Sequence, residues 1–158
     1  MLTTTAQILA IAAILANGAV YGTDISAAVI LRSVNKHLDD AAVTISAGWG
    51  HFYGDKRMPP FGAGGVITAV LATVFAVLAG SIGAAVAAGV AVLALVTWLG
   101  FYVVVAKPVN NVQKAAAQSG VIPANARALQ DRWDSILPYR VALQGIALAG
   151  LGIAIALI

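Results

Sequence analysis

Four long apolar runs dominate this chain, at about residues 5–31, 61–80, 82–106 and 138–158. A helix needs ~20 predominantly apolar residues to cross a bilayer, and each run meets that length. Such a pattern leaves few folds open. Inside hydrocarbon every backbone N–H and C=O must be paired within the protein, so only helices and closed barrels span. Runs this long without strict alternation are helical. The expectation is an all-α integral membrane four-helix bundle, one transmembrane domain over residues 1–158. The scarcity of charge agrees: 9% of residues are charged, against roughly 25% in a soluble domain. The second and third runs are joined only by Gly80, Ser81, Ile82 and Gly83, a tight uncharged hairpin. Both are dense in Ala and Gly, which lets helices approach closely. That suits packing within the bundle, a homo-oligomer or a larger membrane complex.

Two polar connections, residues 32–60 and 107–137, hold most of the remaining chemistry. Arg32, Lys36, Lys56 and Arg57 lie in the first. Lys107, Lys114, Arg127, Arg132 and Arg140 lie in or bound the second, and these are all nine basic residues. The 80–83 turn and both tails have none. By the positive-inside rule the two connections are cytoplasmic and both termini extracytoplasmic, in a multi-pass protein of the cell (inner) membrane. The basic balance is thereby explained without nucleic acid. The N-terminus has no basic region ahead of its apolar run and does not read as a cleaved signal peptide. Cysteine is absent, which removes disulfides, thiol catalysis and cysteine metal sites.

In the first connection, Asp39 or Asp40 can cap a short helix. Ile45, Trp49 and Phe52 follow at helical spacing, as in an amphipathic segment lying at the interface. Met58-Pro59-Pro60 ends it. In the second, Pro108 and Pro123 bracket a short helix ending near Gly120, and a long helix from about Asn125 runs through Pro138 to Ile158.

Polar residues stand out against this background. Asn17, Tyr21 and Asp24 share one face of the first span. Asp24 lies eight residues before Arg32, ~12 Å along a helix, well inside the membrane if Arg32 marks its edge. A carboxylate there faces the bundle interior or a wet cavity. Trp98 and Tyr102, an i, i+4 pair, read as interfacial anchors. Arg140 needs an acceptor in apolar surroundings, and Asp24 or Asp55 is available. Its helical stripe also holds Trp133 and Gln144. His51, Tyr53, Asp55, Lys56 and Arg57 crowd one short stretch. His51 with Asp55 at i+4, or with Asp24 in space, makes a general base oriented by a carboxylate. With two histidines, His37 and His51, and no helical His pair, a metal site is not expected. No phosphate-binding loop, dinucleotide fingerprint or nucleophilic triad pattern is present.

These segments resemble a family. Tyr-Gly-Thr-Asp at 21–24, His-Phe-Tyr-Gly-Asp-Lys-Arg-Met-Pro at 51–59, Lys-Pro-Val-Asn-Asn at 107–111, and Arg132, Trp133 and Arg140 look like the DUF1772 group, also called the anthrone oxygenase family. The resemblance covers nearly the whole chain through short motifs. Pro108 and Asn110 fit the family run, Lys107 opens it differently, and Leu137 stands where a His or Asn is often found.

The resemblance implies oxidation of an anthrone or similar phenolic polyketide by O2, with no cofactor. His51 or Asp24 would be the base, and Arg57 or Arg140 would hold the anion. Tyr21, Tyr53, Trp98 and Trp133 would line an aromatic pocket at the cytoplasmic side, joined by Asp55, Asn110 and Gln144. A second reading stays open beside it: a non-enzymatic membrane subunit or scaffold that binds a lipid, a quinone-like molecule or a protein partner. The discriminator is the interior. A dry, ion-paired bundle fits the scaffold, and a cavity of several hundred Å3 walled by His51 and Asp24 fits a small-molecule site.

Overall fold

The computed structural model describes residues 1–158 and contains no strand. It has five helices: α1 (Leu2–His37), α2 (Asp40–Arg57), α3 (Pro59–Leu78), α4 (Ile82–Ser119) and α5 (Ala126–Leu157). All but α2 are long and apolar enough to cross a membrane.

The four long helices stack in layers of small residues. Ala6, Ala76, Ala84, Ala85, Ala88 and Ala154 pack together at one end. The 80–83 turn therefore sits beside both termini, and a Cβ at Gly83 would lie 3.3 Å from Leu157 Cδ1. The middle layer joins Ala10, Ala13, Ala69, Ala72, Ala91, Ala94, Ala147, Leu95 and Leu151. Glycine permits the closest approach: a Cβ at Gly150 would lie 2.8 Å from the Ala87 carbonyl oxygen. Apart from Leu95 and Leu151, large aliphatic side chains of these helices are mostly on the outside, where Ile8, Leu15, Ile67, Val86, Leu93 and Ile153 are all exposed. Small residues within and large apolar ones without is the arrangement expected of helices surrounded by hydrocarbon, where packing rather than hydrophobic exclusion holds them together.

Two glycines make the turns. Gly80 has φ +73° in the α3–α4 hairpin and Gly120 has φ +74° at the end of α4, the left-handed conformation that costs a residue with a Cβ most.

The helices outrun the apolar segments. α1 continues past Leu31 to His37 through a π turn at Ala27–Leu31 and a 3₁₀ turn at Asn35–His37. The break expected before Pro108 does not occur, and α4 runs on to Ser119. The reason lies just upstream, where Tyr102–Ala106 form a π turn. Proline removes one i→i−4 bond and crowds the carbonyl below it; a widened turn at that point shifts the ladder and accommodates the ring. α5 carries Pro138 within one continuous helix, as the sequence suggests.

α2 begins where expected: Asp39 Oδ1 accepts from the Ala42 N–H at 2.7 Å. Its buried face is not the aromatic stripe. Val43, Thr44 and Gly48 are its buried residues, while Trp49 is exposed and Ile45 and Phe52 only partly covered. Gly48 decides this. A Cβ there would lie 2.6 Å from Ala117 Cβ and would overlap the Gln113 carbonyl, so α2 meets the Lys107–Ser119 part of α4 backbone to backbone. The aromatic side faces outward, with Lys56 Nζ 3.7 Å from the Phe52 ring centroid and Arg57 Cζ 4.9 Å from that of Tyr53. Arg127 fastens the α1–α2 corner to α5. It donates to the Asn35 and Leu38 carbonyls at 3.1 and 2.9 Å and to Asp40 at 2.8 Å.

Candidate functional site

Beyond the alanine layers the helices diverge, and α2 closes one side of the space between them. A cavity of about 750 Å3 results, walled by residues of all five helices. Its volume is in the range of small-molecule sites.

Asp24, Trp98 and Arg140 form one cluster on its wall. Arg140 Nη2 donates to Asp24 Oδ1 at 2.9 Å, and Trp98 Nε1 donates to Asp24 Oδ2 at 3.0 Å. The guanidinium carbon lies 4.9 Å from the Trp98 ring centroid, within cation–π range. Asp24 is 4% exposed and Arg140 5%. The cluster joins α1, α4 and α5, and it corrects the reading of Trp98 as an interfacial anchor: its N–H is spent on an interior carboxylate. Tyr102 is likewise turned inward, donating from its hydroxyl to Asp55 Oδ1 at 3.1 Å.

Asp55 has a second partner, Lys114 Nζ, at 2.6 Å. Neither Asp55 nor Asp24 hydrogen-bonds His51, so the expected His–carboxylate dyad is not formed. The His51 ring instead rests against Trp133, with centroids 5.5 Å apart. Burial lowers the His51 pKa from its ordinary 6.5 to about 4, outweighing the opposing pull of the Asp55 carboxylate and the Gln113 side chain; the Lys114 and Arg140 cations add to the lowering. At neutral pH the imidazole is uncharged. A line of amides lies alongside. Gln113 Nε2 donates to Gln130 Oε1 at 2.9 Å, and Gln130 Nε2 donates to Asp134 Oδ1 at 2.8 Å.

Several polar atoms of wall residues are buried with no partner in the protein: Arg140 Nε and Nη1, Trp133 Nε1 and Asn110 Oδ1. A buried group left unpaired costs about 1–3 kcal/mol. Four such atoms at one cavity mark where an occupant or water would gain most. Deeper in the bundle, Asn17 Oδ1 and both amide atoms of Gln144 are also unpaired.

Of the side chains singled out from sequence, Asp24, His51, Asp55, Trp98, Asn110, Trp133 and Arg140 meet at the cavity. Tyr53 and Arg57 do not; Tyr53 is 48% exposed and covers Arg57 on the outer side of α2. Tyr21 and Gln144 are not on the wall either. Tyr21 Oη lies 3.6 Å from where a Cβ on Gly145 would be, between α1 and α5. Sequence reasoning missed Arg32, Tyr102, Gln130 and Asp134 on the wall, and Lys114 behind Asp55. A signal existed for some of them. Gln130 and Asp134 are one turn apart, in line with Leu137, Arg140 and Gln144 on the buried face of α5, and Lys114 is one turn beyond Asn110. No three His or Asp side chains converge to hold a metal ion.

Fold and site together define a helical bundle with four apolar helices and, at the end away from its termini, a largely apolar cavity whose wall carries charged and amide side chains. Compared with family models, curated proteins and solved structures, the chain matches none.

Proposed function

We propose that this is a multi-pass protein of the cell (inner) membrane whose cavity oxidises a phenolic, polyketide-like substrate with O2 and no cofactor, as its resemblance to the anthrone oxygenase family implies. α2 and both polar connections face the cytoplasm and the termini lie outside. The orientation is supported by all nine basic residues lying in the polar connections or at the cavity end, away from both termini.

The observation that carries the chemical reading is a neutral imidazole, His51, and a buried guanidinium, Arg140, on the walls of one cavity. His51 takes the carbon-bound proton of an anthrone-like substrate. The electron pair left behind spreads over the aromatic system onto the ketone oxygen, where Arg140 stabilises it. The anion passes one electron to O2, and the resulting radical and superoxide combine and take back the proton from His51 to give a hydroperoxide. Loss of water leaves a second carbonyl, so one oxygen atom enters the product and the other departs with both hydrogens of the methylene. Asp24, with both oxygens bonded, positions Arg140 and is not the base. Arg57, on the far side of α2, takes no part.

The second reading is a non-enzymatic subunit that binds a lipid, quinone or protein partner. It is favoured by the Asp24–Arg140–Trp98 cluster, which ties three helices together as a purely structural pair would. O2 uptake separates the two. Protein purified without added cofactor and reconstituted in lipid consumes O2 on addition of an anthrone, in excess of empty lipid. No excess across several anthrones rejects the oxygenase reading and leaves the subunit.

A further inference from the structure

An apolar furrow runs along the outside of the bundle between α3 and α4, with a volume of about 520 Å3 and walls that include Val70, Val74, Val86, Gly89 and Leu93. It is collinear with the cavity. On α3, Ile67 of the cavity wall and Val70 and Val74 of the furrow follow at i, i+3 and i+7 on one face. On α4, Val92 of the furrow and Leu99 of the cavity are two turns apart on one face. Ile67 and Leu99 are exposed at the outer surface while also lining the cavity. The cavity therefore reaches the apolar exterior between α3 and α4, past Gly62 and Ala63, which carry no bulk to block it. From Leu99 to Val86 the seam extends ~20 Å along α4.

The two ends differ in chemistry. The cavity holds the buried, unpartnered donors of Arg140 and Trp133, and the furrow is lined by aliphatic side chains. We infer that the occupant is a membrane-dissolved amphiphile: an acidic oxygen head held near Arg140 and Trp133, and a long apolar tail leaving between α3 and α4 to lie in the furrow. The unpartnered donors of Arg140 and Trp133 select a head that accepts hydrogen bonds, most strongly an anionic oxygen. Arg140 has two donor nitrogens beyond the one Asp24 uses, and an anionic oxygen that accepts from Nη1 leaves that pair undisturbed. This inference rests on the cavity being a small-molecule site, and it adds the tail and the lateral route from the bilayer.

The test is a binding measurement, made without O2 so that it is independent of O2 uptake, and its first probe is saturated. Tritiated palmitate is bound by detergent-purified protein and displaced by unlabelled palmitate. Methyl palmitate, which keeps the tail and loses the charge, displaces it at least tenfold more weakly. Butyrate, which keeps the head and loses the tail, is equally poor. Pentadecylphenol in place of palmitate distinguishes a phenol head from a carboxylate, and binding of either supports the inference. Gly89→Trp fills the furrow where an added side chain meets nothing within 4 Å, and it weakens palmitate at least tenfold without changing thermal stability. Trp133→Phe removes one donor and weakens palmitate by roughly tenfold, without exposing Asp24 as loss of Arg140 would. Equal displacement by palmitate and its methyl ester overturns the acidic head, and full affinity in Gly89→Trp overturns the tail. Anthrone-dependent O2 uptake with no binding of either long-chain probe overturns this inference while leaving the oxygenase reading standing.

Discussion

Arg140 and Asp24, 116 positions apart in the chain, meet through a 2.9 Å hydrogen bond between Nη2 and Oδ1. The contact closes α1 onto α5 above the alanine layers, and both residues are more than nine-tenths buried. A buried pair of this kind is worth little against an apolar replacement, but breaking one side is expensive because the other charge is stranded.

Asp24→Ala alone should therefore destabilise the detergent-solubilised bundle by about 3–5 kcal/mol. It leaves both Arg140 and Trp98 Nε1 with no hydrogen-bond partner. Asp24→Ala with Arg140→Leu should recover part of that loss. Thermal or denaturant unfolding of the two single variants and the double variant measures the coupling. Strictly additive losses would mean the two residues do not interact.

Gly48 supplies a second prediction. Gly48→Val places a side chain against the Gln113 carbonyl and Ala117 Cβ, overpacking that typically costs about 1–3 kcal/mol. The four long helices do not depend on that contact, so the variant should keep its helical content while α2 loosens. Trypsin should then cut faster at Lys56 and Arg57. Gly50→Val is the control, since nothing lies within 4 Å of a Cβ there. Equal cutting of both variants would show that α2 is not docked through Gly48.

The spans, the Asp39 cap and the stop at Gly120 were legible in the sequence because each rests on local chemistry: length of apolar run, a carboxylate reaching an N–H, a residue tolerant of positive φ. The rotation of α2 was not. Ile45, Trp49 and Phe52 form the more apolar stripe, yet Gly48 lies innermost because backbone proximity, not hydrophobicity, fixes that contact. That rotation carries Tyr53 and Arg57 out of the site and leaves His51 and Asp55 in it. Trp98 and Tyr102 misled for a related reason. An aromatic near the end of an apolar run is an anchor only if it faces the lipid, and both of these are turned inward, Trp98 to Asp24 and Tyr102 to Asp55.

Orientation is open to a direct check. Ser119, at the exposed end of α4, and Ser81, in the α3–α4 hairpin, are at opposite ends of the bundle. The chain has no native cysteine, so each Ser→Cys variant reports alone. In intact cells Ser81→Cys should react with a membrane-impermeant thiol reagent and Ser119→Cys should be shielded. The reverse pattern would put the cavity end outside.

The last prediction concerns His51. Its pKa in the folded protein, about 4, is below its ordinary 6.5 because burial disfavours the charged ring. The folded state thus binds fewer protons than the unfolded one between those values, and stability falls as pH drops from about 6.5 towards 4. His51→Gln should flatten that part of the stability–pH curve. The same lowering shapes catalysis. A base that is already neutral needs no alkaline pH to be competent, so the protein-dependent rate, after subtraction of the rate in empty lipid, should rise through about pH 4 and stay level above it. The weak basicity of such an imidazole means that the substrate proton moves only because Arg140 stabilises the resulting anion. His51→Ala should then lower O2 uptake by roughly 10²–10⁴-fold, the usual contribution of a positioned base, while Arg57→Ala, on the outer side of α2, should leave it unchanged. A rate that instead climbs through neutral pH, or survives His51→Ala, would assign proton removal to another group.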